Sequence, residues 1–65
     1  MSEALDGLAD EVAQLAERVS DALFGAVRAQ LRDDDADAAK ELERRLARVR
    51  RSLAKAEALL RGQSE

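Results

Sequence analysis

The sequence predicts an all-α protein, an antiparallel two-helix hairpin of the coiled-coil kind that dimerises into a four-helix bundle. Three observations predict this fold. Ala, Leu, Glu and Arg dominate and Pro is absent, a composition typical of helices. Apolar residues recur at steps of three and four along two long segments. An aspartate-rich stretch separates the segments, and Asp favours helix N-caps over helix interiors.

The first helix is expected over about residues 3–32. Ser2 is a suitable N-cap, and Glu3 and Asp6 place negative charge in the first turn, where the helix dipole favours it. The spacing predicts one apolar stripe along the helix, formed by Leu5, Leu8, Val12, Leu15, Val19, Leu23 and Ala26.

The second helix is expected over about residues 36–61. Its apolar residues follow a heptad pattern, which is typical of a helix that packs along a partner helix. This seam consists of Ala39, Leu42, Leu46, Val49, Leu53, Ala56 and Leu60. Gly62 is suited to end the helix because glycine adopts a left-handed conformation readily, and residues 62–65 are expected to form a disordered tail.

The turn between the helices is expected at residues 33–36, with Asp34 as the N-cap of the second helix. Arg28 and Arg32 lie near the end of the first helix, where the dipole favours cations. The alternative is one continuous helix, which stays open because the linker contains neither Gly nor Pro.

A second, shorter stripe lies on another side of the first helix and consists of Ser20, Phe24, Val27 and Leu31. Two apolar sides near the turn predict two neighbours, the second helix and another chain. Phe24 is the only aromatic residue and is the candidate anchor for the contact with another chain. The alternative is that Phe24 covers the end of an intramolecular core.

The distribution of charge favours antiparallel pairing of the two helices. Residues 1–32 carry six acids and three bases, whereas residues 38–61 carry eight bases and three acids. Antiparallel pairing brings the acids near the N-terminus, such as Asp10, alongside bases near the C-terminus, such as Arg61. Exposed ion pairs contribute only a few tenths of a kcal/mol each, so the pattern sets orientation more than stability.

Self-association is expected because 65 residues form one small domain, and without Cys or His neither a disulfide nor the usual zinc ligands can stabilise it. The favoured function is therefore a non-catalytic interaction or assembly module that forms a homodimer. The alternative is an accessory subunit or small regulator that docks its apolar stripes on a larger protein. The interface is expected to contain Leu8, Val12, Leu15, Val19, Leu23, Phe24, Val27, Leu31, Leu42, Leu46, Val49, Leu53 and Leu60.

A candidate basic surface follows the outside of the second helix and consists of Lys40, Arg44, Arg48, Arg51 and Lys55. Such a ridge suits a phosphate backbone. The chain nevertheless carries a net charge of −3 and lacks an aromatic residue there for stacking on bases. A solvated helix face is the favoured interpretation, and nucleic-acid binding is the less favoured one.

Other classes of function have little support in the sequence. Asp33, Asp35 and Asp37 match the start of a calcium loop, but Ala38 and Arg44 replace its required Gly and Glu, so no metal site is expected. Without His, Cys or Tyr, we expect neither catalysis nor a cofactor or small-molecule ligand. The chain has no apolar run of about 18 residues and no leader-like start, so a cytoplasmic protein without a membrane span is expected.

Overall fold

The computed structural model describes residues 2–32 and 35–63. It contains two helices, α1 (Glu3–Arg32) and α2 (Ala36–Leu60), which pack side by side as an antiparallel hairpin. The Cα atoms span 48 × 19 × 11 Å, so the molecule is two helices wide and one helix thick. A continuous helix of 60 residues would be about 90 Å long. The predicted all-α hairpin is therefore confirmed, and the continuous helix is wrong.

Helix α1 begins as its sequence predicts. The backbone N–H of Leu5 donates to Oγ of Ser2 at 3.3 Å, and the N–H of Asp6 donates to the Ser2 carbonyl at 2.9 Å. These bonds satisfy donors that the first helical turn otherwise leaves unpaired.

The N-cap of helix α2 lies one residue later than the expected N-cap. Asp35 takes that role in place of Asp34, with an extended backbone (φ −161°) and Oδ1 accepting from the Ala38 N–H at 3.2 Å. Either aspartate has the right side chain, so only the path of the chain into the helix decides between them. The predicted turn residues 33 and 34 lie outside the described residues.

Helix α2 ends in a Schellman motif, in which two N–H groups beyond the helix bond back to its last carbonyls. Gly62 has φ 78° and donates to the Leu59 carbonyl at 3.1 Å, while Gln63 donates to the Ala58 carbonyl at 2.9 Å. These two bonds involve the first residues of the expected tail (62–65), and its disorder stays a prediction. Residues 64 and 65 lie outside the described residues.

Small residues form the closest contact between the helices. Among the described residues the buried apolar side chains are Ala9, Ala26 and Ala39, and no large side chain is fully buried. Half-buried larger residues of both helices, such as Leu23, Leu46 and Leu53, lie along the same contact. Because alanine has a short side chain, helices that meet through it approach closely. Larger side chains beside the contact therefore lie at its edges.

The contact on α1 differs in phase from the apolar stripe that the sequence predicts. That stripe passes through Leu8 and Leu15, whereas the more buried residues are the next ones along the chain, Ala9 and Ala16. Consecutive helical residues point about 100° apart. The hairpin therefore leaves part of the predicted stripe facing outward. No helix within residues 2–32 and 35–63 has the length and apolar character needed to cross a lipid bilayer.

Candidate interaction surfaces

Six large apolar side chains form a surface that we call the leucine face. They are between 44% and 59% exposed and consist of Leu5, Leu8, Leu15, Leu42, Val49 and Leu59. On each helix the central members are seven residues apart, which places Leu8 with Leu15, and Leu42 with Val49, on one helical side. The leucine face thus draws on both helices.

The polar contacts between the helices identify the two broad sides of the hairpin. Asp10 contacts Arg61, and the Gln30 amide donates to the Glu43 carboxylate. Phe24 lies two heptads beyond Asp10, and Val27 lies three residues before Gln30. Both side chains therefore lie on the same broad side as these polar contacts. The opposite side carries Leu8 and Leu15 of α1. It also carries Leu42 and Val49 of α2. The leucine face therefore occupies one broad side of the molecule, and Phe24 lies on the other.

At three levels of the leucine face, a large residue on one helix lies beside a small residue on the other. The Asp10–Arg61 and Gln30–Glu43 contacts set the antiparallel register of the helices. In that register three large residues of the leucine face each lie level with a small one on the neighbouring helix. The three levels are Leu15 with Ala56, Ala22 with Val49, and Ala29 with Leu42. The surface therefore has raised and recessed positions at each level, as a helix-packing surface does.

A second exposed apolar surface, the Phe24 patch, consists of Phe24, Val27 and Leu31 near the end of α1. Phe24 is 65% exposed and Leu31 is 83% exposed. Phe24 and Val27 border a shallow groove of about 210 Å³ whose other walls are Leu23, Glu43, Ala47 and Arg50. The α2 wall of this groove is thus mainly charged, so the patch is apolar on the α1 side alone.

Arg61 links the two helices at the end of the hairpin opposite the turn. Its Nη2 lies 3.0 Å from Oδ1 of Asp10 on α1, and its Nε lies 2.9 Å from Oε2 of Glu57 on α2. The pKa of Arg61 is raised, first by the hydrogen bond to Asp10 and then by the one to Glu57. One guanidinium therefore joins the two helices, and the predicted approach of Asp10 to Arg61 occurs.

The candidate basic surface lies on exposed positions of α2. Arg44 is 3.9 Å from Glu41 through Nη1 and Oε2, and both side chains are about two-thirds exposed (66% and 65%). Exposed pairs of this kind are screened by solvent and contribute little. Nucleic-acid binding by this surface stays a prediction.

The described residues also define what the aspartates near the turn do. Asp35 caps α2 with its side chain, and Asp33 lies outside the described residues. Within residues 2–32 and 35–63, no three carboxylate, imidazole or thiol side chains lie close enough together to hold a metal ion. The capping role accounts for Asp35 without a ligand.

The predicted interface residues separate into three groups. Those that line the contact between the helices are Val12, Val19, Leu23, Leu46, Leu53 and Leu60. Those on the leucine face are Leu8, Leu15, Leu42 and Val49, while Phe24, Val27 and Leu31 form the Phe24 patch. The predicted interface omits Ala9 of the helix contact and Leu5 and Leu59 of the leucine face. The heptad spacing of Ala9 and Ala16, one residue beyond Leu8 and Leu15, is the signal that indicates a small-residue contact.

The fold and these surfaces define the class of the molecule as a small helical hairpin with apolar side chains exposed on both broad sides. No protein-family model, curated protein or solved structure matches the chain.

Proposed function

We propose that this protein is a non-catalytic assembly module that works by forming a homodimer, in which two hairpins pack through their leucine faces as a four-helix bundle. The leucine face is the observation that carries the proposal. It extends over both helices and contains six half-exposed large side chains. Contiguous apolar surfaces of this kind mark interaction sites, because leaving them in water is unfavourable.

The total surface area of the chain supports the same proposal. A compact monomer of 7.1 kDa is expected to expose about 4,100 Å². The hairpin exposes 5175 Å². The difference, about 1,100 Å², is similar to the ~800 Å² that each partner contributes to a standard stable interface. A molecule one helix thick exposes both of its broad sides, and covering one of them brings its area toward that of a compact protein.

Sedimentation equilibrium on the purified chain tests this proposal. We expect the mass of a dimer at micromolar concentration. Leu15→Asp places a carboxylate in the middle of the leucine face, twice per dimer, and should weaken the dimer at least 100-fold because burying an unpaired charge is strongly unfavourable. Leu31→Asp is the matched control, since Leu31 is 83% exposed and lies outside the leucine face. It should leave the dimer intact.

Two outcomes would contradict the homodimer. One is a wild-type chain that stays helical and monomeric at all concentrations up to about 100 μM. The other is a Leu15→Asp variant that remains dimeric with the affinity of the wild type. If Leu31→Asp dissociates the dimer and Leu15→Asp does not, the dimer forms through the Phe24 patch instead.

The second candidate function is that of an accessory subunit or small regulator that docks on a larger protein. The Phe24 patch favours it, because a dimer formed through the leucine faces leaves Phe24 exposed on the other side. Size-exclusion chromatography with light scattering separates the candidates. A purified chain that is monomeric and poorly helical on its own would favour docking on a larger protein over self-assembly.

A further inference from the structure

We infer that helix α2 binds double-stranded DNA through the phosphate backbone, without reading the base sequence, and that the candidate basic surface makes the contact. This inference goes beyond the proposed homodimer and does not depend on it. It rests on residues 44–55 of α2, which we call the basic segment. The basic segment contains five Arg, one Lys and no acid. The sequence alone favours a solvated face here, but the placement of the charges in the hairpin changes that preference.

Helix α1 does not neutralise the basic segment. The antiparallel register places residues 17–28 of α1 level with it. That stretch adds no net charge, because it carries two acids and two bases, which are Glu17, Asp21, Arg18 and Arg28. Outside these two stretches the chain carries twelve acids and three bases. The net charge of −3 therefore conceals a strongly positive middle of the hairpin.

Four bases of the segment lie on the outer edge of the hairpin. Each is two residues before or after Leu46 or Leu53, whose half-buried side chains lie at the contact with α1. Two residues turn the helix by about 200°, so these bases point away from α1. Those that precede the leucines lie on one shoulder of the edge and those that follow lie on the other, and they are Arg44 and Arg51, then Arg48 and Lys55. This edge is separate from the leucine face and from the Phe24 patch.

Most arginines of the basic segment have no role in holding the hairpin together. Within residues 2–32 and 35–63, no ion pair or side-chain hydrogen bond is formed by Arg45, Arg48, Arg50 or Arg51. Bases three or four residues apart on a helix repel each other, as Arg48 does with Arg44 and Arg51. The fold thus keeps a repulsive cluster, and a bound polyanion would relieve that repulsion.

Four of these arginines border an open cleft of about 300 Å³. Its lining consists of Arg44, Arg45, Arg48, Arg51, Ala47 and Glu41. Glu41 is the acid at the turn end of the cleft and lies 3.9 Å from Arg44. Among the described residues, this lining includes no large apolar side chain, whereas protein interfaces have an apolar centre. Guanidinium groups bind phosphate oxygens in pairs, so the cleft suits phosphates better than a protein partner.

The shape of the edge favours duplex DNA over an anionic membrane. The hairpin is one helix thick, so α2 forms a convex edge with bases on both shoulders. A flat bilayer reaches one shoulder at a time. The major groove of B-form DNA is about 12 Å wide, admits one α-helix and has phosphates along both of its walls. Aromatic stacking serves single strands, so the absence of an aromatic residue here does not count against a duplex.

Fluorescence anisotropy with a labelled DNA duplex of about 20 base pairs tests this inference. We expect a dissociation constant in the micromolar range at about 50 mM salt. With about four phosphate contacts, the logarithm of the association constant should fall with the logarithm of salt concentration at a slope of about −3 to −4. A duplex of the same length and scrambled sequence should bind equally well, because phosphates carry no sequence information.

Two double variants with the same change in net charge separate the basic segment from general charge. Arg48→Gln with Arg51→Gln should weaken binding at least tenfold at about 50 mM salt and make the salt slope shallower by about 2. Arg18→Gln with Arg28→Gln changes two exposed bases of α1 and should weaken binding less than about threefold. Circular dichroism establishes that both variants keep the helical content of the wild type.

Several results would overturn the inference. One is the absence of binding at about 50 mM salt with ~100 μM protein. Another is equal weakening by the two double variants, which would leave net charge as the sole cause. Duplex RNA that binds as tightly as DNA would also overturn it, because the A-form major groove is too narrow for a helix. Phosphatidylserine vesicles that bind the chain when the duplex does not would place a membrane on this edge instead. The homodimer is tested separately by sedimentation equilibrium.

Discussion

The leucine face and the Phe24 patch are both exposed apolar surfaces, but they are built differently. The leucine face runs along both helices and places a large residue beside a small one at three levels. The Phe24 patch belongs to α1 alone, and across its groove α2 presents Glu43 and Arg50. The Asp10–Arg61 and Gln30–Glu43 contacts also lie on the Phe24 side.

This difference indicates two kinds of contact. A surface to which two helices contribute equally suits another two-helix surface, and the second copy of the chain supplies one. A short apolar patch bounded by charged side chains suits a smaller contact, in which one aromatic anchor enters the partner. The side with polar contacts between the helices holds the hairpin in register, and the other side carries the leucine face of the proposed dimer.

The largest expected effect comes from enlarging a buried alanine at the contact between α1 and α2. Ala9 is fully buried between the helices, so Ala9→Leu should force them apart and destabilise the hairpin by about 1–3 kcal/mol. Urea unfolding followed by circular dichroism measures the change. Ala54→Leu is the control, because Ala54 is exposed. Equal stability of the two variants would mean that the alanines do not set the helix separation.

A direct comparison of the two surfaces uses the same substitution on each. Leu42→Ala removes the side chain of a half-exposed member of the leucine face, whose burial in the dimer contributes about 1 kcal/mol per copy. Because the dimer contains two copies, the substitution should raise its dissociation constant about 30-fold. Leu31→Ala in the Phe24 patch should change it less than about threefold. Sedimentation equilibrium measures both constants. The reverse order would place the dimer interface on the Phe24 side.

The turn end of the hairpin, where the Phe24 patch lies, depends on the cap of α2. Asp35→Ala removes the acceptor for the Ala38 N–H and should destabilise the chain by about 1 kcal/mol. Asp37→Ala, in the first turn but outside the cap, should have an effect of about 0.5 kcal/mol or less. Thermal unfolding of both variants at equal chain concentration measures the difference. If Asp37→Ala proved the more harmful, the assignment of Asp35 as the cap would be wrong.

The smallest effect is expected at the terminal end. Arg61→Gln breaks the contacts with Asp10 and Glu57, which are exposed enough for salt to screen them. We expect a loss of a few tenths of a kcal/mol at low salt and a smaller loss at about 1 M salt. Urea unfolding at the two salt concentrations measures it. A loss that grows with added salt would show that this ion pair is not its cause.

Much of the fold follows from the sequence through short-range physical effects. Ser2 and Asp35 are strong helix N-caps, and Gly62 can adopt a positive φ without strain. Periodicity identifies two helices, and the aspartates separate them. The cap at Asp35 rather than Asp34 shows the limit, because neighbouring aspartates have equal capping ability and the path of the chain selects one.

The sequence by itself determined two amphipathic helical segments with complementary charge, separated by aspartates. The tertiary structure excluded the continuous helix that the sequence left open. Tertiary structure alone decided which sides meet. Ala9 and Ala26 are buried at the contact because small side chains allow a closer approach than leucines do. That rotation leaves Leu15 and Leu42 half exposed on one broad side and Phe24 on the other. The rotation is smaller than the 100° step between consecutive residues, because Val12, Val19, Leu23 and Ala26 of the predicted stripe stay at the contact. Apolar spacing along a single helix does not resolve a shift of this size.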